Sequence, residues 1–161
     1  MPINYHFRTA ESGDLDLLTQ WTLDLMKHEA IDSSLEIPLT ADVDIKIANW
    51  LTALIKSDSA LFIIAESENQ QALGCVLGLL QVAPNDFVDC PVHGLIQMIW
   101  VTPEHRRHGL AGQLLEHMEQ TFRNLDVPYC EISYSVTNDE AKGFWERNGY
   151  QAVSTTCRKF F

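Results

Sequence analysis

Basic residues are scarce in this sequence. Eleven lysines and arginines stand against 22 aspartates and glutamates, for a formal net charge of −11 over 161 residues. A surface of that sign repels phosphate backbones and excludes nucleic acid as a general partner. Long apolar runs are also missing. No stretch approaches the roughly 18 uninterrupted apolar residues of a membrane span, so no membrane partner is expected. The opening MPINYHFRTAESGD lacks the charged, apolar and cleavage regions of a secretory signal, which makes a cytoplasmic location the expectation. The cysteines at 75, 90, 130 and 157 form no CxxC pair, and the six histidines show no HxxxH or HxH spacing. No metal site is therefore expected. Cys75, Cys130 and Cys157 lie in apolar or strand-like runs and read as packed free thiols, while Cys90, beside Pro91, falls in a loop. There is no GxxxxGK[ST] and no GxGxxG after an early strand, which excludes a P-loop and leaves a dinucleotide fold unsupported.

What is present suits one globular domain spanning residues 1–161. The chain is 46% hydrophobic and 20% charged, and long enough to bury a real core. Residues 5–10 read as a strand. Ser12 and Asp14 introduce an amphipathic helix with apolar positions 15, 18, 21, 25 and 26, and a second helical pattern runs from Val43 to Ile55. Residues 60–67 and 72–83 read as antiparallel strands about a turn at 69–71, and LIQMIWV (95–101) as a third, strongly apolar strand. Residues 109–124 form the clearest helix, with Leu110, Leu114, Leu115, Met118 and Phe122 on one face. Strand 128–136, a short helix over 138–150 and a closing strand over QAVSTTCRKFF complete the chain. Thr137 and Glu140 have capping-box spacing for that short helix, and Gly149 suits its C′ position. The fold class is α/β: a mixed, mostly antiparallel central sheet flanked by helices, in the order β-α-α-β-β-β-α-β-α-β.

Two of the eleven basic side chains, Arg106 and Arg107, stand side by side with histidines on either flank. HRRHGLAGQL (105–114) joins the apolar strand to the clearest helix. The first N–H groups of a helix lack internal partners and carry partial positive charge. Glycine admits close approach to the backbone, and Arg106 and Arg107 add full charges. Together these make an anion site suited to a phosphate or pyrophosphate.

VTPEHRRHGLAGQLL also resembles the acyl-CoA signature of the GNAT superfamily of N-acetyltransferases. Its core here is Arg106-Arg107-His108-Gly109-Leu110-Ala111, with Val101 and Pro103 before it. A second signature reads Asn138, Ala141, Phe144-Trp145 and Gly149-Tyr150, and FRTAESGDL (7–15) is similar to the family's first strand and helix start. The resemblance covers nearly the whole chain. It implies a single GNAT-like domain and direct acetyl transfer to an amine, with acetyl-CoA as cosubstrate and no metal. It places the pyrophosphate at Arg106 to Gly112 and the pantetheine arm along the strand that includes Met98, Ile99, Trp100 and Val101. It adds cofactor contacts from Asn138 and Trp145. A homodimer is implied as well, and the apolar Phe160-Phe161 fits a buried edge.

The chain departs from the family where proton transfer is concerned. Many members carry a tyrosine where Trp145 stands, and an indole N–H is a very poor acid. Tyr134 and Tyr150 are the nearby phenols that could replace it. Many members carry a glutamate near position 97, where this chain has Gln97, which cannot accept a proton. Glu131 and His93 are the candidate bases, so Glu131 and Tyr134 form the expected catalytic pair. In this family the early helices and the loop before the third apolar strand line the acceptor side. Here they hold Asp24, Glu29, Asp32, Glu36, Asp86 and Asp89. Ten acidic against four basic side chains over residues 1–60 suit a cationic acceptor. Trp21, Trp50 and Phe87 would instead admit an aromatic amine. The losses at 97 and 145 also leave open a non-catalytic module that senses acyl-CoA.

Overall fold

A computed structural model describes residues 4–29 and 33–161. Five strands form one sheet in chain order: β1 (His6–Thr9), β2 (Ala60–Glu66), β3 (Ala72–Val82), β4 (Val92–Val101) and β5 (Cys130–Ile132). The first four pair antiparallel in chain order; the connections from β2 to β3 and from β3 to β4 are short, whereas β1 reaches β2 across a long helical excursion. β5 runs parallel to β4 because a helical crossover, α3 (Leu110–Asn124), joins them. Helices α1 (Leu15–His28) and α2 (Val43–Ile55) fill the connection from β1 to β2, and α4 (Asp139–Arg147) follows β5. The sheet is a mixed α/β arrangement with helices on both faces.

The strand pattern splits the core in two. Val76, Ile96 and Val101 pack with Leu110, Leu114, Leu115, Met118 and Phe122 of α3. Cys75, Leu77, Met98 and Trp100 pack on the other face with Leu18, Trp21, Ile47 and Leu51 of α1 and α2. Ile96 and Met98 are two apart yet face opposite ways. The register against β3 shifts there, so Gln97 is an extra, bulged residue that reverses the pleat.

The β3–β4 contact is close at Gly74. A Cβ there would stand 2.6 Å from the Trp100 carbonyl oxygen and 3.3 Å from Val101 Cα. Backbone cannot yield as a side chain can. Gly74→Ala should therefore cost about 1–3 kcal/mol, seen as a lower denaturation midpoint with an unchanged slope. Stability equal to that of the parent would show that β4 moves freely at this position.

Five expectations need correction. The strand over 128–136 is only three residues long, because beyond Ile132 the chain leaves β4: Ser135 donates its N–H to Glu29 and accepts from the Asn138 N–H. The cap of α4 is Asn138, whose Oδ1 accepts the Ala141 N–H at 3.0 Å; Thr137 bonds Ser135 instead. No strand forms over 151–161, where the chain is exposed throughout and no backbone hydrogen bond ties it to another described residue. Phe160 and Phe161 lie in this exposed segment, not at a buried edge. Cys157 is likewise exposed, whereas Cys75 is buried and Cys130 half-buried; all four thiols are free.

Candidate active site

The site begins where β4 and β5 part. Their pairing ends at Ile96 with Ile132, so from Gln97 onward the outer edge of β4 has no strand beside it. The segment Gln97 to Val101 forms one lip of a split. The chain from Ser133 to Asn138 forms the other. The end of α1 spans the opening: His28 meets Trp100 edge-on, with ring centroids 6.3 Å apart, and the next residue, Glu29, accepts from Ser135 N at 2.8 Å and from Asn138 Nδ2. Asn138 is thereby oriented, its oxygen on the α4 cap and its nitrogen on Glu29. Sequence reading placed Glu29 only among acidic residues on the acceptor side; its part in holding Asn138 has no local signal.

At the far end of β4, a short turn (Pro103–His105) leads into α3. Thr102 Oγ1 and His105 Nδ1 share a hydrogen bond of 2.9 Å across that turn. Arg106 Nε donates to the Val101 carbonyl at 2.9 Å, and its guanidinium lies 4.5 Å over the Trp100 ring. Arg106 is thus held rigidly on the lip of the split. Arg107 and Gly109 both take left-handed backbone, with φ of 62° and 83°. A Cβ at Gly109 would meet nothing within 4 Å, so its glycine answers to conformation and leaves open space beside it. α3 has no side-chain cap, and its first internal bond runs from Gln113 N to Gly109 O. The N–H groups of Leu110, Ala111 and Gly112 therefore have no acceptor within the helix. The Leu110 side chain is core, so only its amide can serve a ligand. Arg107 and His108 are exposed beside these amides.

The catalytic candidates fall on opposite faces of β5. A Cβ on Gly94 would touch Phe122 of α3 and the Cβ of Cys130, which puts Gly94 and Cys130 on the α3 side. By strand alternation His93 and Glu131 face the α1 and α2 side. They meet there: His93 Nε2 stands 3.5 Å from Glu131 Oε2, and the imidazole stacks on Tyr129 at 5.1 Å. The other ring nitrogen, Nδ1, is buried with no hydrogen-bond partner among the described residues. Glu131 is opposite Leu95 in register, so Gln97 lies about 7 Å farther along the strand. Tyr134 packs on the α3 side with the core that holds Trp145. Trp145 is only 6% exposed and sits edge-on to Phe144 and Tyr150. Tyr150 is committed elsewhere: its hydroxyl donates to Glu119 at 2.8 Å and lies 3.0 Å from Cys130 Sγ. Burial, then Cys130 and Glu119, push its pKa well above the ordinary phenol value.

The acidic residues of the acceptor side do not converge. Asp24 accepts from Gln20 on the same helix, and Glu36, Asp86 and Asp89 are exposed on loops. Asp32 lies outside the described residues. Trp21 is buried in the core, whereas Trp50 and Phe87 are exposed. Among the described residues no group of three metal-ligating side chains occurs, and no helix is long and apolar enough to cross a membrane.

Residues 23–150 match the model of the acetyltransferase (GNAT) family. The whole fold is similar to a predicted acetyltransferase from Clostridium acetobutylicum solved with acetyl-CoA (TM-score 0.79, 16% identity, covering 98% of this chain and 96% of that one). It is similar to a GCN5-related N-acetyltransferase from Ralstonia eutropha (TM-score 0.79, 16% identity, coverage 98% and 99%). An aminoglycoside antibiotic 6'-N-acetyltransferase from Acinetobacter baumannii aligns with TM-score 0.72, 14% identity and 98% coverage of both chains.

Proposed function

Because the chain belongs to the GNAT family of acetyltransferases, we propose that it moves the acetyl group of acetyl-CoA directly to a primary amine of a small molecule or peptide. One observation carries this reading. The basic, uncapped N-terminus of α3 stands at the end of the unpaired edge of β4, so an anion site and an extended backbone groove are continuous. That layout fits a pyrophosphate joined to a long amide-bearing arm. The amides of Leu110, Ala111 and Gly112, with Arg106, Arg107, His108 and the open space at Gly109, hold the pyrophosphate. Ile99, Trp100 and Val101 lie along the pantetheine, and Asn138 and Trp145 close the site from the other lip. Coenzyme A alone should raise the melting temperature of the protein; no shift at saturating coenzyme A would remove the basis of this reading.

The two faces of the split divide the chemistry. An amine is mostly protonated at neutral pH, with a reference pKa of about 10.4 for lysine. Glu131, backed by His93, takes that proton on the α1 and α2 face. The freed amine attacks the thioester carbonyl. The nitrogen of the tetrahedral adduct releases its second proton to water; as the adduct collapses, the thiolate leaves and takes a proton from Tyr134 on the α3 face, which solvent then restores. The acceptor is cationic, drawn by the acidic balance of residues 1–60. An aminoglycoside, which is what the Acinetobacter protein's name gives as its substrate, is one such amine. The working form is a cytoplasmic homodimer.

Trp145 has no proton chemistry in this scheme. Trp145→Phe should leave turnover within a few-fold and cost about 1–2 kcal/mol of stability, since it trims a buried ring. A true acid would contribute about 10²–10⁴-fold. A hundredfold fall, with fold and cofactor affinity intact, would show that Trp145 takes a direct part in turnover.

A further inference from the structure

One carboxylate at the opening of the split has no counter-charge. Glu29 is the C-cap of α1 and is half-buried. Its Oε2 accepts the Ser135 N–H at 2.8 Å, and its Oε1 accepts from Asn138 Nδ2. Both donors are neutral. Among the described residues no lysine, arginine or histidine forms an ion pair with it. The neighbouring His28 reaches Glu140 instead, at 4.0 Å. Holding an uncompensated carboxylate away from water is costly. The C-terminal end of α1 adds partial negative charge beside it. Each oxygen still has a lone pair for one more donor. A fixed anion with spare acceptor capacity is the complement of an ammonium group.

Glu29 and Glu131 stand on the same side of the sheet. α1 packs on the face of Met98 and Trp100, and Glu131 projects from β5 to that face. Glu29 is tied to Ser135, four residues beyond Glu131 in sequence, so at most about 14 Å of backbone separates the two attachment points. Glu131 is engaged in proton transfer. A charge that stays on the acceptor throughout the reaction therefore needs a second carboxylate, and Glu29 supplies it. The other acids of the acceptor side do not compete: Asp24 is bound to Gln20, and Glu36, Asp86 and Asp89 lie exposed on loops.

We propose that Glu29 anchors a second ammonium group of the acceptor, so that the substrates are amines carrying a further cationic nitrogen beyond the one acetylated. This names the acceptor class of the reaction proposed above and rests on that reading. The test is steady-state acetylation of linear diamines against amino alcohols of equal length, in which a hydroxyl replaces one amine. The parent should favour the diamine by roughly 10–100-fold in kcat/KM, the worth of one charge-assisted hydrogen bond. The preference should lie in KM, with kcat alike for the two, because the distal ammonium is unchanged as the reaction proceeds. Glu29→Gln keeps the shape and loses the charge, and should bring the ratio to within a few-fold of unity. A loosened Asn138 would lower both acceptors alike and leave the ratio standing, so the ratio separates anchoring from a structural role. A kcat/KM for the amino alcohol equal to or above that of the diamine in the parent, or a preference that survives Glu29→Gln, would overturn the anchor and leave the transfer reaction intact. Binding of acetyl-CoA with no amine acetylated would overturn both.

Discussion

Replacing Glu131 by glutamine is expected to lower turnover by about 10²–10⁴-fold, the range that general-base catalysis supplies. Glutamine keeps the shape and the hydrogen-bonding oxygen but cannot take a proton. The residue is half-exposed on the face opposite α3, so the fold should not depend on it. Affinity for acetyl-CoA should stay the same, because the proposed cofactor groove runs from Gln97 toward α3 and away from Glu131. His93→Ala should lower turnover less, since His93 contacts Glu131 at 3.5 Å and acts through it. Activity of Glu131→Gln within a few-fold of the parent would dismiss this carboxylate and leave deprotonation to solvent.

The second large effect concerns cofactor binding. At 100 times its dissociation constant a ligand stabilises a fold by about 2.7 kcal/mol. For a domain of this size that corresponds to a melting shift of about 5–10 °C. Arg106→Ala with Arg107→Ala should abolish most of it. Arg106 also bonds the Val101 carbonyl and stacks on Trp100, so the unliganded double variant should melt somewhat lower. The readout is therefore the shift on adding coenzyme A, not the melting temperature itself. A full shift in the double variant would separate the basic turn from the pyrophosphate.

Much of this arrangement was legible in the sequence where interactions are local. The apolar stripe of α3, the meander of β2 to β4 and the basic turn at 105–112 are set by spacing, turn residues and helix-end chemistry within a few residues of each other. The corrections come from long-range pairing. The length of β5 depends on where β4 diverges, which the bulge at Gln97 and the bond from Ser135 to Glu29 decide. Residues 151–161 carry strand composition, yet composition cannot supply a partner. In the site, the candidates His93 and Glu131 converge, although 38 positions separate them in sequence. In sequence the acidic residues of the first helices suggest one acceptor surface; in the fold Glu29 is bound to Asn138 and Asp24 to Gln20. Charge type is written in sequence, but its partner is chosen by the fold.

Release of free thiol from acetyl-CoA, followed across a panel of cationic amines with no-amine and Glu131→Gln controls, tests the central claim most directly. The account predicts thiol release that depends on the amine, saturates with it, yields the acetylated amine in equal amount and falls with Glu131→Gln. Firm binding of acetyl-CoA, with no amine in the panel raising thiol release above the no-amine rate, would contradict it and identify the chain as an acyl-CoA sensor built on the same fold.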